Sequence, residues 1–154
     1  MGTEERVPLK DAATFLLDEC RMVLPGIQAL FGFQLIAVFN ERFARELGGF
    51  EQMLHFIAIG LVVVAIAIIM TPAALHREIG VEHVSRSFIE ISTRLLVASM
   101  VPLALAIGLD FYLIAHLVMD GAAALPLTLG VMAVFGILWG WFPRSRRLQA
   151  AFER

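Results

Sequence analysis

The stretch QMLHFIAIGLVVVAIAIIMTPAAL, residues 52–75, contains no Asp, Glu, Lys or Arg. A helix of about 20 mainly apolar residues is what the roughly 30 Å hydrocarbon core of a bilayer requires. Three more stretches repeat the pattern, because charges are also missing between Arg21 and Glu41, between Arg94 and Asp110, and between Asp120 and Arg144. Lipid, not water, is therefore the medium in which this chain folds. The flanking charges and turn residues predict an all-α fold, a four-transmembrane-helix integral membrane bundle with spans at Met22–Asn40, Gln52–Leu75, Leu95–Met119 and Ala122–Phe142. These make one membrane domain over 1–154, with a basic cytoplasmic tail at 143–154.

Composition agrees. A hydrophobic share of 59% with 17% charged residues exceeds what a soluble chain of 154 residues needs for its core. A net charge of -2 argues against a nucleic-acid partner. The single cysteine, Cys20, has no partner for an intrachain disulfide. The first 20 residues carry Glu4, Glu5, Asp11, Asp18 and Glu19, which speaks against a cleavable signal peptide and predicts that the first span serves as a retained anchor.

Basic residues near span ends are held on the cytoplasmic side. Arg6, Lys10 and Arg21 precede the first span, Arg77, Arg86 and Arg94 join the second to the third, and Arg144, Arg146, Arg147 and Arg154 follow the fourth. The opposite side has only Arg42 and Arg45, so both termini are predicted to be cytoplasmic. Trp139, Trp141 and Phe142 suit the interface where the fourth helix leaves the membrane. Between the last two spans only Asp120 and Gly121 remain, which makes those helices antiparallel neighbours.

Two segments outside the spans read as surface helices. In residues 8–21, Leu9, Ala13, Leu16, Leu17 and Cys20 recur at helical spacing, which predicts an interfacial amphipathic helix lying along the headgroups. Between Glu82 and Arg94, the stripe of Val84, Phe88, Ile91 and Leu95 runs into the third span, with Glu82–Arg86 and Glu90–Arg94 placed for helix salt bridges.

Function is sought among polar groups in lipid, since each costs free energy unless paired or hydrated. By the helical rise, Gln34 lies about 9 Å from the outer end of its span, Asp110 about 13 Å and Thr128 about 9 Å, so the three could share a level. His55 and His116, about 4 to 5 Å deep by the same rise, could form a vestibule above them. A carboxylate such as Asp110 costs about 3 kcal/mol at the centre of a helix on insertion scales, and that cost has to be offset. Asp110 is either a proton or cation site or a packing group that accepts from Gln34, Thr128 or Tyr112. Residues six apart differ by about 120° in direction, so Asp110 and His116 do not share a face, nor do Gln28 and Gln34.

A second cluster gathers at the cytoplasmic end. Glu19 and Arg21 enter the first span and His76 and Arg77 leave the second, with Gln28, Thr71 and Ser99 just inside. Pro25, Pro72 and Pro102 interrupt backbone hydrogen bonding at similar depth. These groups could open a polar cavity or merely form interfacial ion pairs.

Asp18-Glu19-Cys20-Arg21, Leu24-Pro25-Gly26-Ile27-Gln28, Leu30-Phe31-Gly32-Phe33, Arg42-Phe43 and Thr71-Pro72-Ala73-Ala74-Leu75-His76-Arg77 together resemble the signature of a bacterial family of small four-span membrane proteins of unknown function, often labelled sodium:proton antiporter. The resemblance covers Asp18 to Arg77, with Cys20 where the family usually has Leu. It implies an inner-membrane protein whose characteristic polar residues, matched by Glu19, Arg21, Gln28, His76 and Arg77, gather at the cytoplasmic mouth.

Alternating access normally uses two moving halves around a midplane site, and four helices are few for that. A homo-oligomer could supply the missing surface through Gly136 and Gly140, a GxxxG pair, or through Ala104 and Gly108. Enzyme signatures are missing: the sequence has no CxxC, HExxH, GxSxG or phosphate loop. His76 and His83 are seven apart without a third ligand, so no metal or cofactor is expected. The leading expectation is an oligomeric channel or transporter for protons or monovalent cations, in contact with membrane lipids. The alternative is a non-transporting scaffold or accessory subunit.

Overall fold

A computed structural model describes residues 8–79, 85–119 and 121–145. Helices α1 (Leu9–Val38), α2 (Glu41–Glu46), α3 (Gly49–Ile79), α4 (Arg86–Val118) and α5 (Gly121–Phe135) follow one another, and no strand occurs among the described residues. After α5 the chain continues as π-helical turns at Gly136–Trp141 and a last α-helical turn at Phe142–Arg144. Four helices are long and apolar enough to cross a bilayer: Leu9–Val38, Gly49–Ile79, Arg86–Val118 and Ala122–Arg144. This is the pattern of a multi-pass membrane protein. The 31 residues of α3 span about 46 Å at the helical rise, so its ends pass beyond the hydrocarbon.

The N-terminal segment corrects the sequence reading. Residues 8–21 are not a separate interfacial helix, because α1 runs unbroken from Leu9 to Val38. Nothing between Arg21 and Met22 stops a helix, and Pro25 is carried inside it. The stripe expected to lie on headgroups is turned toward protein instead: Ala13, Leu16 and Cys20 are buried, and Leu16 and Cys20 join the core with Ile27, Val62, Ile69 and Ala106. A stripe of that kind buries equally well against lipid or against a helix, and here α3 and α4 supply the helix.

Helix α3 forms the centre of the seam. Ala58, Val62, Ala65, Ile69 and Pro72 recur at spacings of four and three and are all buried, and small side chains in this row let neighbouring backbones approach closely. Helix α4 packs on both sides, against α1 and α3 through Ala106 and against α5 through Ala104 and Gly108. A Cβ at Gly108 would strike the Met132 side chain, so the Ala104–Gly108 pair is used within the chain. Gly136 is exposed and, with Gly140, lines a groove beside Val97, Val101 and Ala104 of α4. Large apolar side chains including Phe15, Met22, Phe33, Phe56, Val101 and Leu129 are exposed around the bundle, as lipid-facing groups should be.

Connections are short and capped. Asn40 accepts from Arg42 N at 3.0 Å to start α2, and Ser85 Oγ accepts from Phe88 N at 3.1 Å to start α4. Helix α5 begins two residues after Met119 and packs along α4, as the expected reversal requires, although Asp120 lies outside the described residues. The same holds for Glu82 and Val84 of the second surface stripe and for 146–154 of the basic tail. Within the stripe, Phe88 is buried and Ile91 is exposed, while Glu90 and Arg94 are exposed and form no ion pair among the described residues.

Candidate functional site

Three polar side chains from three helices meet inside the bundle. Gln34 near the end of α1 donates from Nε2 to Asp110 Oδ2 on α4 at 2.7 Å. His55, in the second turn of α3, places Nε2 at 2.9 Å from the Gln34 carbonyl and Nδ1 at 3.4 Å from Asp110 Oδ1. Gln34 is 3% exposed and His55 6%, so neither polar group is supplied by bulk water. Antiparallel packing makes this meeting possible, since the end of α1, the start of α3 and the end of α4 all reach one side of the bundle.

The contacts constrain the tautomer of His55. A backbone carbonyl can only accept, so His55 Nε2 must bear hydrogen. Neutral His55 in that tautomer turns the Nδ1 lone pair toward a carboxylate oxygen, which is repulsive. One further proton, on Nδ1 or on Asp110, removes the repulsion. At 3.4 Å the approach is too long and poorly aligned to count as a formed hydrogen bond, and Asp110 Oδ1 and Gln34 Oε1 are both buried acceptors with no donor among the described residues.

Helix α2 roofs the cluster. Phe43 packs edge-on against the His55 ring with centroids 5.2 Å apart, and Leu47 is buried beside it. Gln52 Nε2 donates to the Leu47 carbonyl at 2.8 Å and ties the turn down. Beneath this roof a cavity of about 270 Å³ opens between α1, α2 and α4, with Phe33, Ile114 and Leu117 among its walls and Gln34, His55 and Asp110 at its floor.

Of the predicted outer group, Gln34 and Asp110 come together and Thr128 does not. Thr128 Oγ1 donates to Ala124 O within its own helix at 2.8 Å. It lines the gap between α3, α4 and α5, together with Gly108 and Tyr112. Two residues along a helix is a turn of about 200°, so Gly108 and Tyr112 look away from the face that carries Asp110. His116 leaves the cluster for the same kind of reason: it stacks on Tyr112 and lies 4.0 Å from Glu51. His55, predicted as a wet vestibule residue, is a full member. The overlooked signal was Asn40, whose cap starts a short helix over Glu41–Glu46 that folds back and covers it.

The residues predicted to gather at the cytoplasmic end are spread out. Glu19, Gln28 and Arg77 are exposed, and among the described residues Arg21 pairs only with Asp18 on its own helix at 3.3 Å. His76 packs against Phe88 with centroids 5.7 Å apart. Thr71 and Ser99 return their hydroxyls to Ala67 O and Leu96 O. None of these side chains bonds to another of them among the described residues. Nor does any group of three His, Cys, Asp or Glu side chains converge as a metal site there.

No curated protein and no solved structure matches this chain. A family profile does, over residues 9–143, and it takes in all three helices that build the Gln34–His55–Asp110 cluster. That span is most of the sequence, and the chain belongs to this family of unknown function, DUF6328.

Proposed function

We propose that the protein is a small transporter or channel subunit for protons or monovalent cations, not an enzyme, and that Gln34, His55 and Asp110 form its exchange site. The carrying observation is the buried imidazole–carboxylate approach of 3.4 Å, a pair of groups between which a proton or a monovalent cation would be favourably held. A site of one exchangeable charge in lipid is costly and is typically found where charge moves. The charge asymmetry of the loops supports both termini being cytoplasmic, and the resemblance carried by residues 18–77 supports a bacterial inner-membrane location. The exposed Gly136, with Gly140 in an open groove, supports a homo-oligomer that completes the path, with Glu19, Arg21, Gln28, His76 and Arg77 at its cytoplasmic mouth.

Purified protein in liposomes carrying a trapped pH dye tests this. An imposed proton, sodium or potassium gradient should produce a flux that falls at least about tenfold in Asp110→Asn and His55→Gln, with helical content unchanged. A second reading has its own support, because the same contacts bridge α1, α3 and α4 and could serve only to lock them. Folded protein that passes no ion under any gradient would establish that scaffold role and reject transport.

A further inference from the structure

A groove of about 220 Å³ runs along the seam between α4 and the π-helical turns that follow α5, with Val97, Val101 and Ala104 on one wall and Gly136, Trp139 and Gly140 on the other. Helix α5 packs chiefly on α4, so the flank of that seam stays open. The glycine at its middle leaves it deep, since a Cβ at Gly136 would meet nothing within 4 Å. Its backbone is π-helical there, a form that recurs at functional sites. Arg144 is the sole charged side chain lining the groove. Its Nη1 donates to the Gly140 carbonyl at 3.0 Å, which keeps the guanidinium beside the groove, and no carboxylate pairs with it among the described residues.

We propose that this groove seats one acyl chain of an anionic phospholipid, with the lipid phosphate on Arg144. The dimensions suit one leaflet. Met132 and Arg144, the limits of the groove along the last helix, lie roughly 18 Å apart at the helical rise, and half of a roughly 30 Å core, the reach of one acyl chain, is about 15 Å. Charge favours a lipid over a second copy as the occupant. Copies inserted with the same orientation and meeting here would bring two Arg144 side chains to one level, with no Asp or Glu in the groove to offset them. A phosphate supplies the missing charge, as anionic headgroups do in basic pockets between membrane helices. A homo-oligomer formed over Gly136 would enclose this lipid. The inference is independent of ion transport and of the Gln34–His55–Asp110 cluster.

Trp139 lines the groove, whereas Trp141, the other tryptophan, is 69% exposed, so Trp141→Phe makes fluorescence a report on the groove. The full chain with that change is placed in phosphatidylcholine vesicles containing a minor share of phosphatidylglycerol or phosphatidylcholine with brominated chains, whose bromines quench a tryptophan on contact. Phosphatidylglycerol should quench Trp139 with an apparent affinity about fivefold above that of phosphatidylcholine, the contribution of one basic residue beside anionic lipid. Arg144→Gln should abolish that preference. Gly136→Leu fills the groove and leaves Arg144 in place, and should bring anionic quenching down to the phosphatidylcholine level. Both positions are exposed, so each variant should fold. Equal quenching by the two lipids, or a preference that survives Arg144→Gln or Gly136→Leu, would overturn the proposal. Quenching that falls for both lipids as protein density rises would also overturn it, and would give the groove to a second copy.

Discussion

Pairing Gln34 with Asp110 should be visible as an energetic coupling. Gln34→Leu removes the one hydrogen bond formed by the Asp110 carboxylate among the described residues, at 2.7 Å and with Gln34 only 3% exposed. A bond to a charged acceptor is worth about 1.5–3 kcal/mol in proteins, whereas interhelical bonds in membranes average about 0.6 and reach about 1.7 kcal/mol. The charge and burial place this bond near the top of the membrane range. Asp110→Leu leaves the Gln34 amide stranded, at about 1–3 kcal/mol. The double variant strands neither group, so it should lose less than the sum of the single losses by about 1.5 kcal/mol. Far-UV circular dichroism during denaturation of mixed micelles with dodecyl sulfate would give the four stabilities at one fixed pH. Independent sites add to within about 0.3–0.5 kcal/mol. A coupling inside that band would refute the claim that these two side chains are bonded, and the exchange site with it.

Three further outcomes are expected. Cys20 is the sole thiol and 4% exposed, so a maleimide should label it slowly in native micelles and fully after denaturation; rapid native labelling would return residues 8–21 to the headgroup surface. Gly108→Leu drives a side chain into Met132 and should destabilise the protein by about 1–3 kcal/mol, the usual cost of overpacking; a thermal melt should show the loss, with partial recovery when Met132→Ala is added. Ser85→Ala removes the cap on Phe88 N and should cost about 1 kcal/mol, read as faster amide exchange at the start of α4; an unchanged exchange rate would contradict the cap.

The membrane-crossing helices were legible because lipid imposes a length and forbids charge, and both leave marks in a linear string. Residues 52–75 could be read as a span from composition alone, and α3 contains all of them. The fate of residues 8–21 could not. An apolar stripe states that something must cover it, and says nothing of whether headgroups or Ala106 and Val62 do so. The candidate site divides along the same line. Gln34 and Asp110 were conspicuous as polar groups at matched depth, but depth is one coordinate of three. Thr128 had the right depth and the wrong side of α4, and His55 was placed too near water because the roof over it depends on how α2 folds back.

Sequence by itself determined the number of long apolar helices and the helical phase of each polar side chain, since these follow from hydrophobic run length and the 3.6-residue repeat. Tertiary structure decided which faces meet: that α1 turns Gln34 inward against α4, that α3 brings His55 to the same point, and that Gln34 Oε1 and Asp110 Oδ1 are buried there without a donor among the described residues. Rotation and lateral order of helices in a bundle are set by side chains fitting across interfaces, where the partner is remote in the chain, and no local pattern encodes that choice.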